Sequence, residues 1–205
     1  MKHKIKILLL ASALIFLPMG KTLALEARPS SDDLKKMDTD NDGLSDYEEN
    51  YIYHTDPVKA DNDSDGFVDG EEVKFGFDPN KRGGDRLEKS IVVALADQSL
   101  SYKLGDYIID TFKISSGVRN TTPTGEFEVI KKKPVVDYIG PGYSYPKTRW
   151  NLMFKTGARG NFYIHGAYWH NKFGQPMSHG CVNVSYDNME GLYNWADTGT
   201  KVTIE

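Results

Sequence analysis

The stretch Ile164-His165-Gly166-Ala167-Tyr168-Trp169-His170-Asn171-Lys172-Phe173-Gly174-Gln175-Pro176-Met177-Ser178-His179-Gly180-Cys181-Val182-Asn183 contains the only cysteine of the 205-residue chain and three of its five histidines. A thiol near neutral pH is mostly protonated, and becomes a good nucleophile when an imidazole takes its proton or a positive field lowers its pKa. His165 and His179 are the two available partners. His179 stands two positions from Cys181, on the same side of an extended backbone, and Gly180 between them permits a tight turn that aims N–H groups at one point, as an oxyanion site requires. The residues by themselves leave other readings open. A lone cysteine is also a common small core residue. A zinc site from His165, His179 and Cys181 has suitable ligand types but no evident fourth ligand.

Working outward, the pattern around this stretch is that of a β-rich domain. Asn161 to His165 and Asn151 to Phe154 are short strand candidates, and Tyr186 to Trp195 reads as a helix capped by Ser185, followed by Gly199 and a strand over Lys201 to Ile204. Upstream, Ser90 to Ala96, Leu100 to Lys103 and Tyr107 to Ile114 are β-branched or alternating runs joined by turn residues, which predicts an antiparallel meander. Glu126 to Ile130 alternates with period two. Between Pro134 and Pro146 the density of Pro, Gly and Tyr predicts an irregular loop walling a groove.

The segment before this domain differs in kind. From Asp32 to Asp85 there are 17 acidic and 6 basic residues, a net charge of -11, whereas Arg86 to Glu205 carries +3. Neither balance suits a nucleic-acid partner. Within the acidic run, Asp38-Thr39-Asp40-Asn41-Asp42-Gly43 closes on Glu49, and Asp61-Asn62-Asp63-Ser64-Asp65-Gly66 closes on Glu72. Alternating carboxylates, a glycine for the turn and a closing glutamate form a calcium-loop pattern, with Leu44 and Phe67 offering the backbone carbonyl at position seven. Two copies in register point to structural Ca²⁺ bound through Asp38, Asp40, Asp42, Leu44 and Glu49, and through Asp61, Asp63, Asp65, Phe67 and Glu72. The copies resemble the thrombospondin type 3 repeats of exported bacterial proteins and also meet the EF-hand loop pattern.

At the front, Lys2, Lys4 and Lys6 precede an apolar run from Ile7 to Leu17, and Thr22-Leu23-Ala24 supplies small residues before a cut. This predicts a signal peptide over residues 1–24, export to the periplasm or cell envelope, and no membrane span after cleavage; an uncleaved anchor is the competing reading. The expected organisation is a signal peptide at 1–24, a calcium-binding repeat module at 32–82 and a second domain at 87–205.

Ile164-His165-Gly166, Trp169-His170, Phe173-Gly174, Pro176 and Ser178-His179-Gly180-Cys181-Val182-Asn183, with Thr122-Pro123-Thr124-Gly125-Glu126-Phe127 upstream, resemble the L,D-transpeptidase catalytic domain family. The resemblance implies a mainly β, mixed-sheet β-sandwich with one or two helices. It implies Cys181 as nucleophile, His165 as base oriented by the Gly166 carbonyl, and the backbone of His179, Gly180 and Cys181 as oxyanion donors. Ser178 would support the loop. Trp169, Asn183, Tyr143 and Arg149 are the expected substrate contacts. No cofactor is implied for catalysis. The substrate would be a peptidoglycan tetrapeptide stem, acylated onto the cysteine with loss of D-alanine and passed to an amine of another stem or a lysine of an envelope protein. Hydrolysis of stems by the same thiol, and a non-catalytic calcium-dependent wall-binding role, are the alternatives.

Overall fold

A computed structural model describes residues 28–158 and 160–205, so the expected signal peptide lies outside the described residues. Among the described residues, nine strands form two mixed sheets. Strands β1 (Lys89–Ala94), β2 (Ser99–Leu104) and β3 (Tyr107–Lys113) make the expected meander. β9 (Lys201–Ile204) then joins β1 in parallel, and β4 (Gly125–Glu128) adds to β9, giving the order β3-β2-β1-β9-β4. The second sheet has the order β5-β6-β7-β8, from β5 (Lys131–Gly140), β6 (Tyr143–Lys155), β7 (Phe162–Gly166) and β8 (Val182–Val184).

The sheets meet through their alternating apolar positions. Ile91, Val93, Leu100 and Val202 of the first pack with Leu152, Phe154, Ile164 and Val182 of the second in one buried cluster. The helix Tyr186–Trp195 closes this core with Met189 and Leu192, three residues apart on its inner face and both fully buried. Burying each such side chain is worth about 1.5–3 kcal/mol. The mainly β sandwich is therefore as expected.

One expectation fails. Residues 134–146 are not an irregular loop: they run through the β5–β6 hairpin, which turns at Pro141 and Gly142, the latter at φ 81°. β5 is an edge strand, so Pro134 is tolerated there although it lacks an N–H. A register shift between Val136 and Tyr138 absorbs the extra residues opposite, Lys147 takes φ 54°, and its N–H donates to Asp137 Oδ1 at 2.7 Å. The punctuating residues thus sit at the turn and a bulge, not along a structureless excursion.

The acidic module has little apolar core. Ser30 and Ser45 each cap a short helical segment, Ser31–Leu34 and Asp46–Glu48, with a reciprocal capping box. A π-helical turn, Glu49–Tyr53, follows the first loop, and the helix Asp69–Phe75 follows the second. Gly76, at φ 83°, ends that helix. Leu44 and Tyr53 pack with Leu104 and, at the margin, Leu87, Tyr107 and Ile109, so the module docks on the β2–β3 hairpin. Asn80 Nδ2 bonds the Tyr53 carbonyl at 2.8 Å, and Tyr107 Oη donates to Asp78 at 2.7 Å across the same junction.

Candidate functional site

β7 and β8 are neighbouring parallel strands with Ile164 opposite Val182 and His165 opposite Asn183. The residue before β8, Cys181, therefore comes to lie beside the start of β7, and the sixteen-residue interval between His165 and Cys181 is bridged by one crossover. Both side chains line a cleft of about 790 Å³, together with Ser178, His179, Gly180 and Asn183. Trp169 and Tyr143 line it as well, whereas Arg149 does not: its guanidinium lies 5.9 Å from the centre of the Trp150 ring.

His165 is buried, and its Nδ1 is 2.9 Å from the Gly166 carbonyl oxygen. A carbonyl only accepts, so Nδ1 carries the proton and Nε2 is left bare. Gly166 is required locally, because a Cβ there would sit 2.5 Å from the Tyr186 ring at the start of the helix. Burial holds the imidazole down, to a pKa of about 4, although the Gly166 carbonyl pulls the other way. The Cys181 sulfur lies 4.0 Å from the Asn161 carbonyl oxygen. Burial pushes its pKa up to about 11, partly offset by the backbone N–H of Tyr163. Both shifts favour a thiol beside a neutral imidazole over a thiolate–imidazolium pair at neutral pH.

The loop that presents the thiol is pinned from within. Ser178 Oγ accepts from the Gly180 N–H at 3.0 Å and donates to the Cys181 carbonyl at 2.5 Å. Thr122 Oγ1 donates to the Gly180 carbonyl at 3.0 Å and accepts from the Gly117 N–H at 2.7 Å. Gly180 itself takes φ 144°, and a Cβ would meet Phe162 at 2.8 Å, so only glycine fits. Its N–H is spoken for by Ser178. The N–H groups of His179 and Cys181 have no acceptor among the described residues, which leaves these two of the three expected donors free for an oxyanion.

An aromatic ladder frames the cleft. The Tyr145 and Trp169 rings stack at 3.9 Å and 8°, and Tyr143 stacks on His179 at 5.0 Å. These contacts bring the β5–β6 hairpin against the 167–181 crossover. Tyr138 stacks on His165 at 4.5 Å, and its hydroxyl donates to Asn151 Oδ1 at 2.9 Å. The Asn151 amide in turn bonds the carbonyls of Lys133 and Thr148. Sequence reasoning does not single out Tyr138, and it places Thr122 in the upstream segment of the resemblance without giving it a role. Asn151 carried a usable signal, a polar residue inside an apolar strand run; Tyr138 did not, because its stretch reads as irregular. Asn183 is buried, with its amide 3.1 Å from His170 Nε2.

In the acidic module, Asp38, Asp40 and Asp42 bring carboxylate oxygens within 4.8 Å of one another, as do Asp61, Asp63 and Asp65. Leu44 and Phe67 follow in the same loops, each with its N–H bonded to the preceding loop aspartate. Both oxygens of Asp40, and one each of Glu49, Asp63 and Glu72, are buried without a hydrogen-bond partner. Buried, unpartnered carboxylate oxygens are strongly unfavourable unless a cation faces them. Burial first, and the neighbouring aspartates second, push Glu49 up to about 8 and Glu72 up to about 7. This donor set, all hard oxygen, fits Ca²⁺. Sequence reasoning omits Asp46 and Asp69 at loop position nine; each accepts from the N–H of loop position two, Thr39 and Asn62 respectively.

No curated protein sequence matches the chain. Residues 38–60 and 61–81 match the bacterial TSP3 repeat. Among solved structures, an L,D-transpeptidase from Mycobacterium smegmatis is 22% identical over 61% of this chain and 64% of its own, with a TM-score of 0.52, which speaks for the fold. A mutant L,D-transpeptidase of Enterococcus faecium is 25% identical over 58% of this chain and 50% of its own, with a TM-score of 0.52. The catalytic domain from E. faecium L,D-transpeptidase, solved by NMR, is 25% identical and matched over its whole length by 60% of this chain, at a TM-score of 0.50. This chain thus spans between half and two thirds of the first two proteins. Residues 88–204 match the L,D-transpeptidase catalytic domain, and the chain belongs to that family.

Proposed function

We propose that the protein is an exported cysteine L,D-transpeptidase that acylates Cys181 with a peptidoglycan tetrapeptide stem and passes the acyl group to an amine, in building or modifying the cell wall. One observation carries this reading: the Gly166 carbonyl fixes His165 with a bare Nε2 in the cleft that holds Cys181. His165 Nε2 takes the thiol proton as the sulfur attacks the stem carbonyl carbon. The developing oxyanion accepts from the free N–H groups of His179 and Cys181. When the tetrahedral intermediate collapses, the C–N bond to the terminal D-alanine breaks, the imidazolium returns its proton to the leaving amine, and a thioester remains on Cys181. An incoming amine then attacks the thioester, its proton passing through His165 to the departing sulfur. With water as acceptor the same intermediate gives a shortened stem, the hydrolytic alternative.

Trp169, Tyr143 and Asn183 line the route to the thiol and are the proposed substrate contacts. The two repeats are proposed to bind Ca²⁺ structurally, supported by the orphaned carboxylate oxygens. Export rests on the predicted signal peptide; among the described residues no helix is long and apolar enough to cross a membrane.

The test is incubation of the purified protein, with calcium, with tetrapeptide muropeptides, read by mass spectrometry. Loss of D-alanine with a dimeric product supports the transferase, and loss of D-alanine without a dimer supports the hydrolase. No change in the muropeptides would sink both.

A further inference from the structure

The two calcium loops are near copies, yet the aspartate at position nine is used differently in each. In the first copy, both oxygens of Asp46 have a partner: its Oδ1 accepts from the Thr39 N–H at 2.9 Å and its Oδ2 from the Thr39 hydroxyl at 2.8 Å. The second copy has Asn62 in place of Thr39. Asn62 keeps the backbone bond, N–H to Asp69 Oδ1 at 2.7 Å, but its amide turns away to Asn80. Asp69 Oδ2 is consequently left with no hydrogen-bond partner on a fully buried side chain.

That spare carboxylate does not stay within its own loop. One oxygen each of Asp69, Asp42 and Glu49 lie within 4.8 Å of one another, and Asp42 is also a member of the Asp38, Asp40 and Asp42 group. One oxygen of Glu49, Oε2, is likewise buried and unpartnered. The approach of the repeats is built for this. The helix Asp69–Phe75 abuts the first loop so closely that a Cβ on Gly70 would lie 2.3 Å from the Asp42 carbonyl oxygen, and the Gly70 N–H donates to Asp42 Oδ2 at 3.2 Å.

We infer that Asp69 of the second repeat is a ligand of the first repeat's calcium ion, so that the first site is composite and complete only when the second repeat is folded. This rests on the reading of the repeats as calcium loops. The ligand count agrees: Asp38, Asp40, Asp42, the Leu44 carbonyl and a bidentate Glu49 make about six oxygens, and Asp69 brings the shell to about seven, within the usual range for Ca²⁺. The dependence runs one way: Asp69 is grouped with Asp42 and Glu49 of the first loop, whereas among the described residues Asp46 is in no such group with the second loop.

The amides of Gly43 and Gly66 report the two loops separately, because each donates to the first aspartate of its own loop, at 3.2 Å and 3.0 Å. The experiment is a titration of the purified protein with Ca²⁺, following both amides by NMR and total stoichiometry by calorimetry, for wild type, Asp69→Asn and Asp69→Ser. Both variants keep an oxygen to accept the Asn62 N–H. The expected result is two ions in the wild type and, in each variant, a Gly43 midpoint raised by about tenfold or more through the lost charged ligand, with the Gly66 midpoint moved by less than about threefold. An unmoved Gly43 midpoint, an equal loss at both glycines, or a third ion in the wild type would each overturn the composite site. If neither amide of the wild type responds to millimolar Ca²⁺, the calcium reading itself fails, and this inference with it.

Discussion

In the β-sandwich, Ile91, Leu100, Phe154, Ile164 and Val202 are buried against one another across two sheets, whereas the acidic module buries Asp42, Asp46, Glu49, Asp69 and Glu72 and few apolar side chains of its own, Leu44 and Tyr53 among them. The first arrangement is stable in water by itself, because apolar burial drives it. The second gathers like charges where water cannot screen them, and is favourable only when a cation replaces the lost hydration. Cys181 and His165 are carried by the region with the apolar core.

The contrast can be broken at several points. Cys181→Ala should abolish acylation by a carbapenem, a loss of at least about 10⁴-fold, while the thermal midpoint stays within about 2 °C of wild type. A mass adduct persisting in that variant would remove Cys181 from the chemistry. Next in size, chelating calcium should strip about 3–4 kcal/mol per ion from the acidic module if free calcium normally exceeds the dissociation constant by a few hundred-fold. Calorimetry should then show an early transition for the module ahead of the sandwich, and superimposable scans with and without chelator would refute the contrast. Leu104→Ala, at the seam between the two regions, should cost about 2–4 kcal/mol and separate the two transitions even with calcium present.

Smaller effects sharpen the picture inside the sandwich. Ser178→Ala leaves the Gly180 N–H without its acceptor and the Cys181 carbonyl without its donor, at about 1–3 kcal/mol. The expected outcome is slower acylation together with that loss of stability, and unchanged acylation would argue against Ser178 as the brace of the loop. The smallest effect is with pH. With His165 neutral down to about 4 and the thiol protonated up to about 11, acylation should vary less than about twofold between pH 5.5 and 9 and fall only toward pH 4. A rising limb centred between pH 6 and 8 would instead indicate a thiolate–imidazolium pair. The same burial has a stability sign. Because the folded pKa of His165 is below the ordinary 6.5, the unfolded chain binds the proton first, and stability is lost as pH falls from about 6.5 to about 4.

Much of this was legible in the chain itself. Tyr186 to Trp195 and Lys201 to Ile204 are observed at the predicted bounds, since an amphipathic run and an alternating run are local properties; Ser185 holds the N-cap position but its side chain makes no capping hydrogen bond. The β5–β6 hairpin was not legible, because the same Pro and Gly residues mark a bulged edge strand or a loop, and only pairing with the partner strand decides between them. Tyr138 escaped with it, for its value lies in a ring stacked on His165 from another strand. Asp69 escaped because position nine of a loop looks alike in both copies, and only the close approach at Gly70 distinguishes them.

The sequence by itself determined the chemistry at hand: one thiol, the histidines spaced around it, the repeated oxygen ligands and the alternation that makes two sheets. Those are consequences of residue type and short-range period. The tertiary structure alone decided the rest. The parallel pairing of β7 with β8 brings Cys181 and His165 to one cleft, the Gly166 carbonyl chooses the tautomer, Ser178 takes up the Gly180 N–H, and the contact between repeats brings an aspartate of one beside the carboxylates of the other. Each of these depends on groups far apart in the chain meeting at hydrogen-bond distance, which no local pattern encodes.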